Sequence, residues 1–189
     1  MKDLFPFMCF MAYLIIIRLI ELMMAKKNEN WMKQRGAVEF GTSHYPYMIM
    51  MHVLFFVSMI LEKVFLNREL SPVWASILII FITTQFMRGW VILSLGRYWN
   101  TKIIVIPNEK VIMKGPYRFI KHPNYAVVSL EFVLVPLLFN DYITACIFTV
   151  LNIFMLRVRI KAEEKALQSL TEYEGNFHGS NRFIPKFIK

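Results

Sequence analysis

The sequence predicts an all-α polytopic membrane protein with about five transmembrane helices, the last two forming a helical hairpin. Three observations predict it. The 189 residues are 57% hydrophobic and 19% charged, with seventeen Phe, thirteen Met and a mean hydropathy of +0.45. Apolar runs of spanning length recur along the chain, and the cationic residues between them fall on alternate sides. A soluble chain must cover its core with polar surface, whereas a chain in lipid leaves apolar side chains facing outward at no cost.

The first run, "LFPFMCFMAYLIIIRLIELMM" from Leu4 to Met24, has the ~20 residues that a helical crossing needs. Only Lys2 precedes it as a charge of the right sign, and no small-x-small cleavage site separates it from "AKKNEN". It therefore reads as a retained helix rather than a signal peptide. The second run extends from Tyr47 to Leu66, and the third, "PVWASILIIFITTQFMRGWVILSL", from Pro72 to Leu95. After a polar loop come apolar stretches from Ala126 to Phe139 and from Tyr142 to Leu156, joined by Asn140 and Asp141, which supply turn chemistry. Each is short for a full crossing, so the pair reads as a hairpin that dips through or tilts across the bilayer. No repeat or low-complexity linker divides the chain, which reads as one domain, residues 1–189.

Charge placement agrees with five segments, because Lys and Arg accumulate on the cytoplasmic side. Lys26, Lys27, Lys33 and Arg35 fall in the first loop; Arg97, Lys102, Lys110, Lys114, Arg118 and Lys121 fall in the third. Arg157, Arg159, Lys161, Lys165, Arg182, Lys186 and Lys189 follow the last span. These seventeen share one side, against Lys2, Lys63 and Arg68 on the other, with Arg18 and Arg88 inside helices. The N-terminus is thus predicted outside and the C-terminus in the cytoplasm. The net charge of +9 describes a basic face against anionic lipid headgroups. No contiguous basic run or nucleic-acid motif appears, so membrane lipids and not nucleic acid are the expected partners. Cys9 and Cys146 lie in apolar runs and imply neither a disulfide framework nor a metal site.

Three clusters on the basic side invite a functional reading. In "GPYRFIKHPNY", residues 115–125, Gly115-Pro116 makes a turn and Pro123 restricts His122 to extended backbone. Tyr117, Arg118, Lys121, His122, Asn124 and Tyr125 then offer rings and donors at the lipid boundary; an aromatic and basic interfacial anchor is the plainer explanation. "RVRIKAEEKAL", residues 157–167, is expected to extend the last helix into the cytoplasm, and in it Glu163 and Glu164 interrupt a basic surface. They read either as surface ion pairs with Arg159 or Lys161, or as receivers of a cationic ligand group. The third cluster, "NRFIPKF", reads as an amphipathic segment returning to the membrane surface.

In that order, from about Gln85 to Pro185, these segments resemble the isoprenylcysteine carboxyl methyltransferase family. Its members carry G-x-Y-x-x-x-RHP-x-Y, then a helical hairpin, an E-E pair and a terminal Arg-Pro region. The resemblance implies an S-adenosylmethionine-dependent methyltransferase of the membrane, with a cytoplasmic cofactor site and a lipophilic acceptor arriving through the bilayer. Residues 72–189 would then form the catalytic core, residues 1–70 two N-terminal helices, and the bacterial plasma membrane the location. No Rossmann Gly-rich turn is present, so a different cofactor cradle is needed. The family's cofactor motif falls on Tyr117, Lys121, His122, Pro123 and Tyr125, joined by Glu163 and Glu164. One departure matters: Lys121 stands where the family usually has Arg. Arginine grips a carboxylate with two parallel hydrogen bonds, whereas lysine is a point charge. The acceptor is therefore either a prenylcysteine-like carboxylate or a hydroxyl or enol on a long-chain lipid or polyketide.

Charges inside the membrane are costly and direct attention to function. Arg18 and Glu21 are three apart and are expected to satisfy each other. Arg88 and Glu131 are expected to pair near the acceptor, which makes Lys121, Arg88 and Glu131 the catalytic candidates. Two other classes stay open. Sterol reductases carry a similar Tyr-x-x-x-RHP-x-Y segment but bind NADPH, whose phosphates the paired glutamates would repel. A non-catalytic lipid-binding protein would use the basic loop only to grip headgroups.

Overall fold

The computed structural model describes residues 3–172 and 182–183. Helices α1 (Leu4–Lys33), α2 (Tyr45–Phe65), α3 (Trp74–Leu95), α4 (Pro123–Leu137) and α5 (Tyr142–Leu170) make the bundle. Short 3-10 turns occupy Gly96–Tyr98 and Gly115–Arg118, and three-residue strands β1 (Val38–Phe40) and β2 (Ile103–Val105) complete the order. Four helices, α1, α2, α3 and α5, are long and apolar enough to cross a membrane, and α4 is shorter. The chain is an integral membrane protein.

The last pair of helices differs from two matched halves. α4 has 15 residues, but α5 has 29, because "RVRIKAEEKAL" continues the helix that began at Tyr142. Good helix formers without Gly or Pro carry it past the apolar run, for a length of ~44 Å at 1.5 Å per residue. α4 packs along α5 on one side and along α3 on the other. α1 likewise outruns its apolar stretch into "AKKNENWMK", where Glu29 accepts from Lys26 at 3.2 Å and Lys33 at 2.6 Å, at helical spacings. It stops where the chain turns through Gly36, at φ 77°.

The extensions of α1 and α5 rise from the end of the bundle that carries the basic loops, and an antiparallel ribbon packs against both. Val38 pairs with Val105, Glu39 with Ile104 and Phe40 with Ile103. Ile103 and Val105 bury against Ala166 of α5, and Ile104 with Ile106 against Met32 of α1. Alternation sends successive β2 side chains to opposite helices. Lys102 bridges Glu29 and Glu39, each at 3.0 Å, and ties ribbon to helix.

Within the bundle, Phe7, Met11, Phe55, Phe81, Phe132, Phe139 and Phe148 form an apolar core. Outward residues such as Leu93, 80% exposed, and Phe86, 76% exposed, leave an apolar surface around the bundle. At the opposite end Glu62 accepts from the first free amides of α5, Ile143 at 3.1 Å and Thr144 at 2.8 Å. Lys63 is buried there between the rings of Phe7 and Phe139 and donates to the Arg68 carbonyl, so it is a packed cation rather than a headgroup contact.

Candidate functional site

The loop before α4 is shaped by a close approach. Gly115 has φ 54°, and a Cβ there would lie 2.1 Å from Ser94 Oγ of α3. Only glycine permits both the left-handed backbone and this contact. The 3-10 turn that follows buries Tyr117 against Val91 of α3 and Val127 of α4. Burial, helped by nearby Glu163, pushes the Tyr117 phenol well above its ordinary value, so it stays a neutral ring.

Pro123 opens α4, where its missing N–H costs nothing, and His122 is the residue before the first turn. His122 Nε2 lies 3.1 Å from Glu164 Oε1. The same carboxylate accepts from Arg182 Nε at 2.9 Å and Nη2 at 2.5 Å, a two-pronged clasp. The His122 amide donates to the Arg182 carbonyl at 3.1 Å. One turn away, Tyr125 donates its phenol hydrogen to Glu163 Oε2, and its ring stacks on His122 at 5.5 Å between centroids. Helical spacing sends Glu163 to Tyr125 and Glu164 to His122, so neither forms the i,i+4 surface pair that a solvated helix would favour. Arg159, one turn earlier on α5, donates to the Thr101 carbonyl at 2.8 Å and lies over the Tyr125 ring.

Tyr117, His122, Tyr125, Arg159 and Glu163 border a cavity of about 380 Å³. Tyr117, Lys121, His122, Asn124, Tyr125, Arg159 and Glu163 line its loop end; Met48, Ile49, Met51, Val53 and Phe56 of α2 line its bundle end, beside Arg18, Glu21 and Arg88. A small adjoining hollow of about 20 Å³ adds Glu131 and shares Arg18, His52, Phe56 and Val128 with the main cavity. Asn124 Oδ1 and Arg159 Nε are buried with no hydrogen-bond partner among the described residues, although both side chains border the cavity.

The four charges inside the bundle make one network. Arg18 donates to Glu21 at 2.8 Å and to Glu131 at 2.5 Å. Arg88 donates to Glu131 at 2.6 Å and grips both oxygens of Glu21, one of them at 2.5 Å. Gln85 adds a bond to Glu131 at 2.7 Å. Two acids and two guanidinium groups thus cancel, the arrangement that makes buried charge tolerable. The expected pairs, Arg18 with Glu21 and Arg88 with Glu131, both form, and each also crosses to the other pair.

Of the sequence-derived site residues, Tyr117, Lys121, His122, Tyr125, Glu163 and Arg88 line the main cavity and Glu131 the adjoining hollow. Pro123 and Glu164 stand behind the lining, where they set the backbone and hold His122. Sequence reasoning gave no role to Thr101 or His52 and read Arg159 only as a surface ion-pair partner of the glutamates. Arg182 was visible only as part of the terminal Arg-Pro region, and its partner is eighteen residues away. Of "NRFIPKF", only Arg182 and Phe183 lie within the described residues, so the amphipathic return to the membrane falls outside them.

A helical membrane bundle whose cavity joins an apolar interior to a polar rim defines a membrane-embedded protein with an interfacial site. The chain matches the isoprenylcysteine carboxyl methyltransferase (ICMT) family over residues 77–169, and it belongs to that family. It is 49% identical over 162 residues to the uncharacterized protein YpbQ of Bacillus subtilis strain 168, covering 86% of this chain and 96% of that one. It is 27% identical over 160 residues to an uncharacterized protein of Haemophilus influenzae, covering 84% and 93%. Family membership supports a membrane methyltransferase.

Proposed function

We propose that the protein is an S-adenosylmethionine-dependent O-methyltransferase that methylates an oxygen of a lipophilic acceptor, with its N-terminus outside and its C-terminus in the cytoplasm. The acceptor oxygen is either the carboxylate of a prenylated cysteine-like compound or the hydroxyl or enol of a long-chain lipid or polyketide. The observation that carries the reading is a cavity with both a polar loop end and an apolar bundle end, since a soluble donor and a lipid acceptor have to meet in one space.

The residues at the loop end fit such a donor. Tyr117, His122 and Tyr125 offer flat faces for an adenine, and Glu163 offers a carboxylate to a cationic amino group. Buried Asn124 Oδ1 and Arg159 Nε, which have no partner among the described residues, are polar capacity that a ligand with donors and acceptors can use. When bound, the donor supplies an electrophilic methyl on a sulfonium. The chain's own work is to align and to exclude water. Arg182 clasps Glu164, Glu164 holds the His122 ring, and Glu163 holds the Tyr125 phenol, so both rings are fixed before any ligand arrives. Lys121 brings a cation to the cavity wall, where it favours an anionic acceptor oxygen. Arg88 and Glu131 position the bundle end rather than carry a spare charge, because each is answered within the network.

The test is transfer of labelled methyl from S-adenosylmethionine into organic-extractable product by membranes that contain the protein. Label in the extract that disappears with His122→Ala supports the reading. Extracts without label across both carboxylate and hydroxyl acceptors would overturn it. Lys121→Arg is expected to shift preference toward carboxylate acceptors, measured as the ratio of kcat/KM for the two classes.

A further inference from the structure

Among the groups around the bundle end of the cavity, the geometry points to His52 of α2 as the general base that accepts the proton of a hydroxyl acceptor. This rests on the methyl-transfer reading and deepens it, because a base is needed for a neutral hydroxyl and not for a carboxylate. His52 lies outside the family-matched segment, residues 77–169.

Two contacts define its state. His52 Nδ1 lies 2.8 Å from the Met48 carbonyl oxygen, one turn back on the same helix. A carbonyl only accepts, so Nδ1 carries the hydrogen and Nε2 of the neutral ring keeps its lone pair. The ring packs on Phe132 at 5.1 Å, tilted by 59°, which fixes its plane. Among the described residues, no side chain is hydrogen-bonded to Nε2, and His52 borders both the main cavity and the small hollow.

Other cavity groups suit the role less well. Glu21 and Glu131 each accept from both arginines, so their oxygens are already engaged within the network. Glu163 already accepts from Tyr125, and lysine and arginine present no lone pair when charged. The walls near His52, Met48, Met51, Phe56 and Val128, suit the apolar body of a lipophilic acceptor. Charged groups near the imidazole are Arg18 of α1, Glu131 of α4 and Arg159 of α5. In the step, the acceptor oxygen forms a bond to the methyl carbon. The donor's S–C bond breaks with its electron pair going to sulfur, and the O–H proton ends on His52 Nε2, from which it leaves to water at the loop end.

The test uses 4-dodecyl-2-nitrophenol, whose phenolate is coloured, with the full-length protein in detergent and no methyl donor. At a pH about one unit below the probe's own midpoint in the same micelles, binding is expected to raise phenolate absorbance, and His52→Gln to reduce the bound phenolate-to-phenol ratio about tenfold, one pKa unit. Equal phenolate in the variant, or a wild type that binds the probe without ionising it, would overturn the proposal. In turnover, His52→Ala is expected to lose about 10²-fold or more on 4-dodecylphenol, less on the more acidic nitro probe, with added imidazole restoring rate. An equal loss on both phenols without rescue would contradict it. If the probe ionises at His52 while S-adenosylmethionine neither binds nor reacts, the base stands and the methyltransferase reading fails.

Discussion

Two polar clusters in this chain are built from the same kinds of side chain and do opposite things. At the bundle level, Arg18, Glu21, Arg88 and Glu131 close on one another, and every charge meets its opposite at hydrogen-bond distance. At the loop end, His122, Tyr125, Glu163, Glu164 and Arg182 are also bonded, but neighbouring Asn124 and Arg159 keep buried polar atoms with no partner among the described residues. The first arrangement cancels charge and joins α1, α3 and α4; the second fixes two rings at the edge of a space. A closed network is expected to act on stability, and an open one on ligand binding.

The largest effect that would break this comparison concerns Glu131. Replacing it with Ala leaves two guanidinium groups facing one carboxylate inside the bundle, and loss of one partner of a buried pair costs about 3–5 kcal/mol. Thermal unfolding in detergent should show a large drop in midpoint. Glu164→Gln, by contrast, should leave unfolding nearly unchanged and weaken S-adenosylmethionine about 10-fold or more, the value of a charge-assisted hydrogen bond lost behind His122. If both variants melted alike and bound alike, the two clusters would not differ in role.

Gly115→Ala sharpens the comparison at one position. The new methyl meets Ser94 Oγ, and the φ of 54° is strained for alanine, so the turn carrying Tyr117 must move away from α3. Affinity for the cofactor should fall more than the unfolding midpoint does, measured by calorimetry and thermal unfolding on one preparation.

The smallest expected effect lies at the far end of the bundle. Asp141 is fully buried beside Glu62, and neither of its oxygens has a hydrogen-bond partner among the described residues. Burial first, and then the Glu62 charge, push its carboxyl from the ordinary 3.8 up to about 7. A raised acid binds its proton more tightly folded than unfolded, so its contribution is present below 3.8 and is lost as pH rises to about 7. Asp141→Asn should flatten the fall in unfolding midpoint between these pH values and leave ligand binding unchanged.

How much of this was legible in the sequence follows from how far apart the partners lie. "GPYRFIKHPNY" could be read because its chemistry is contiguous, and the intramembrane charges because each is conspicuous in an apolar run. The runs of α2 and α3 were legible to within a few residues, as was the start of α1, whose helix continues past Met24 to Lys33. The continuation of α5 was legible as well, because helix formers without a breaker carry it past the apolar run to Leu170. The ribbon was hidden because strands of three residues are too short for alternation to show. Arg182 at Glu164 and His52 in the cavity wall depend on packing between distant segments, which no local pattern announces.

The central claim, that the loop end binds S-adenosylmethionine, is tested most directly by calorimetry on the detergent-purified protein. S-adenosylmethionine and NADPH would be titrated into wild type, His122→Ala and Glu163→Ala/Glu164→Ala. The expected result is saturable S-adenosylmethionine binding to wild type, lost in both variants, with no NADPH binding. Binding of NADPH alone, or of S-adenosylmethionine equally to all three proteins, would contradict it.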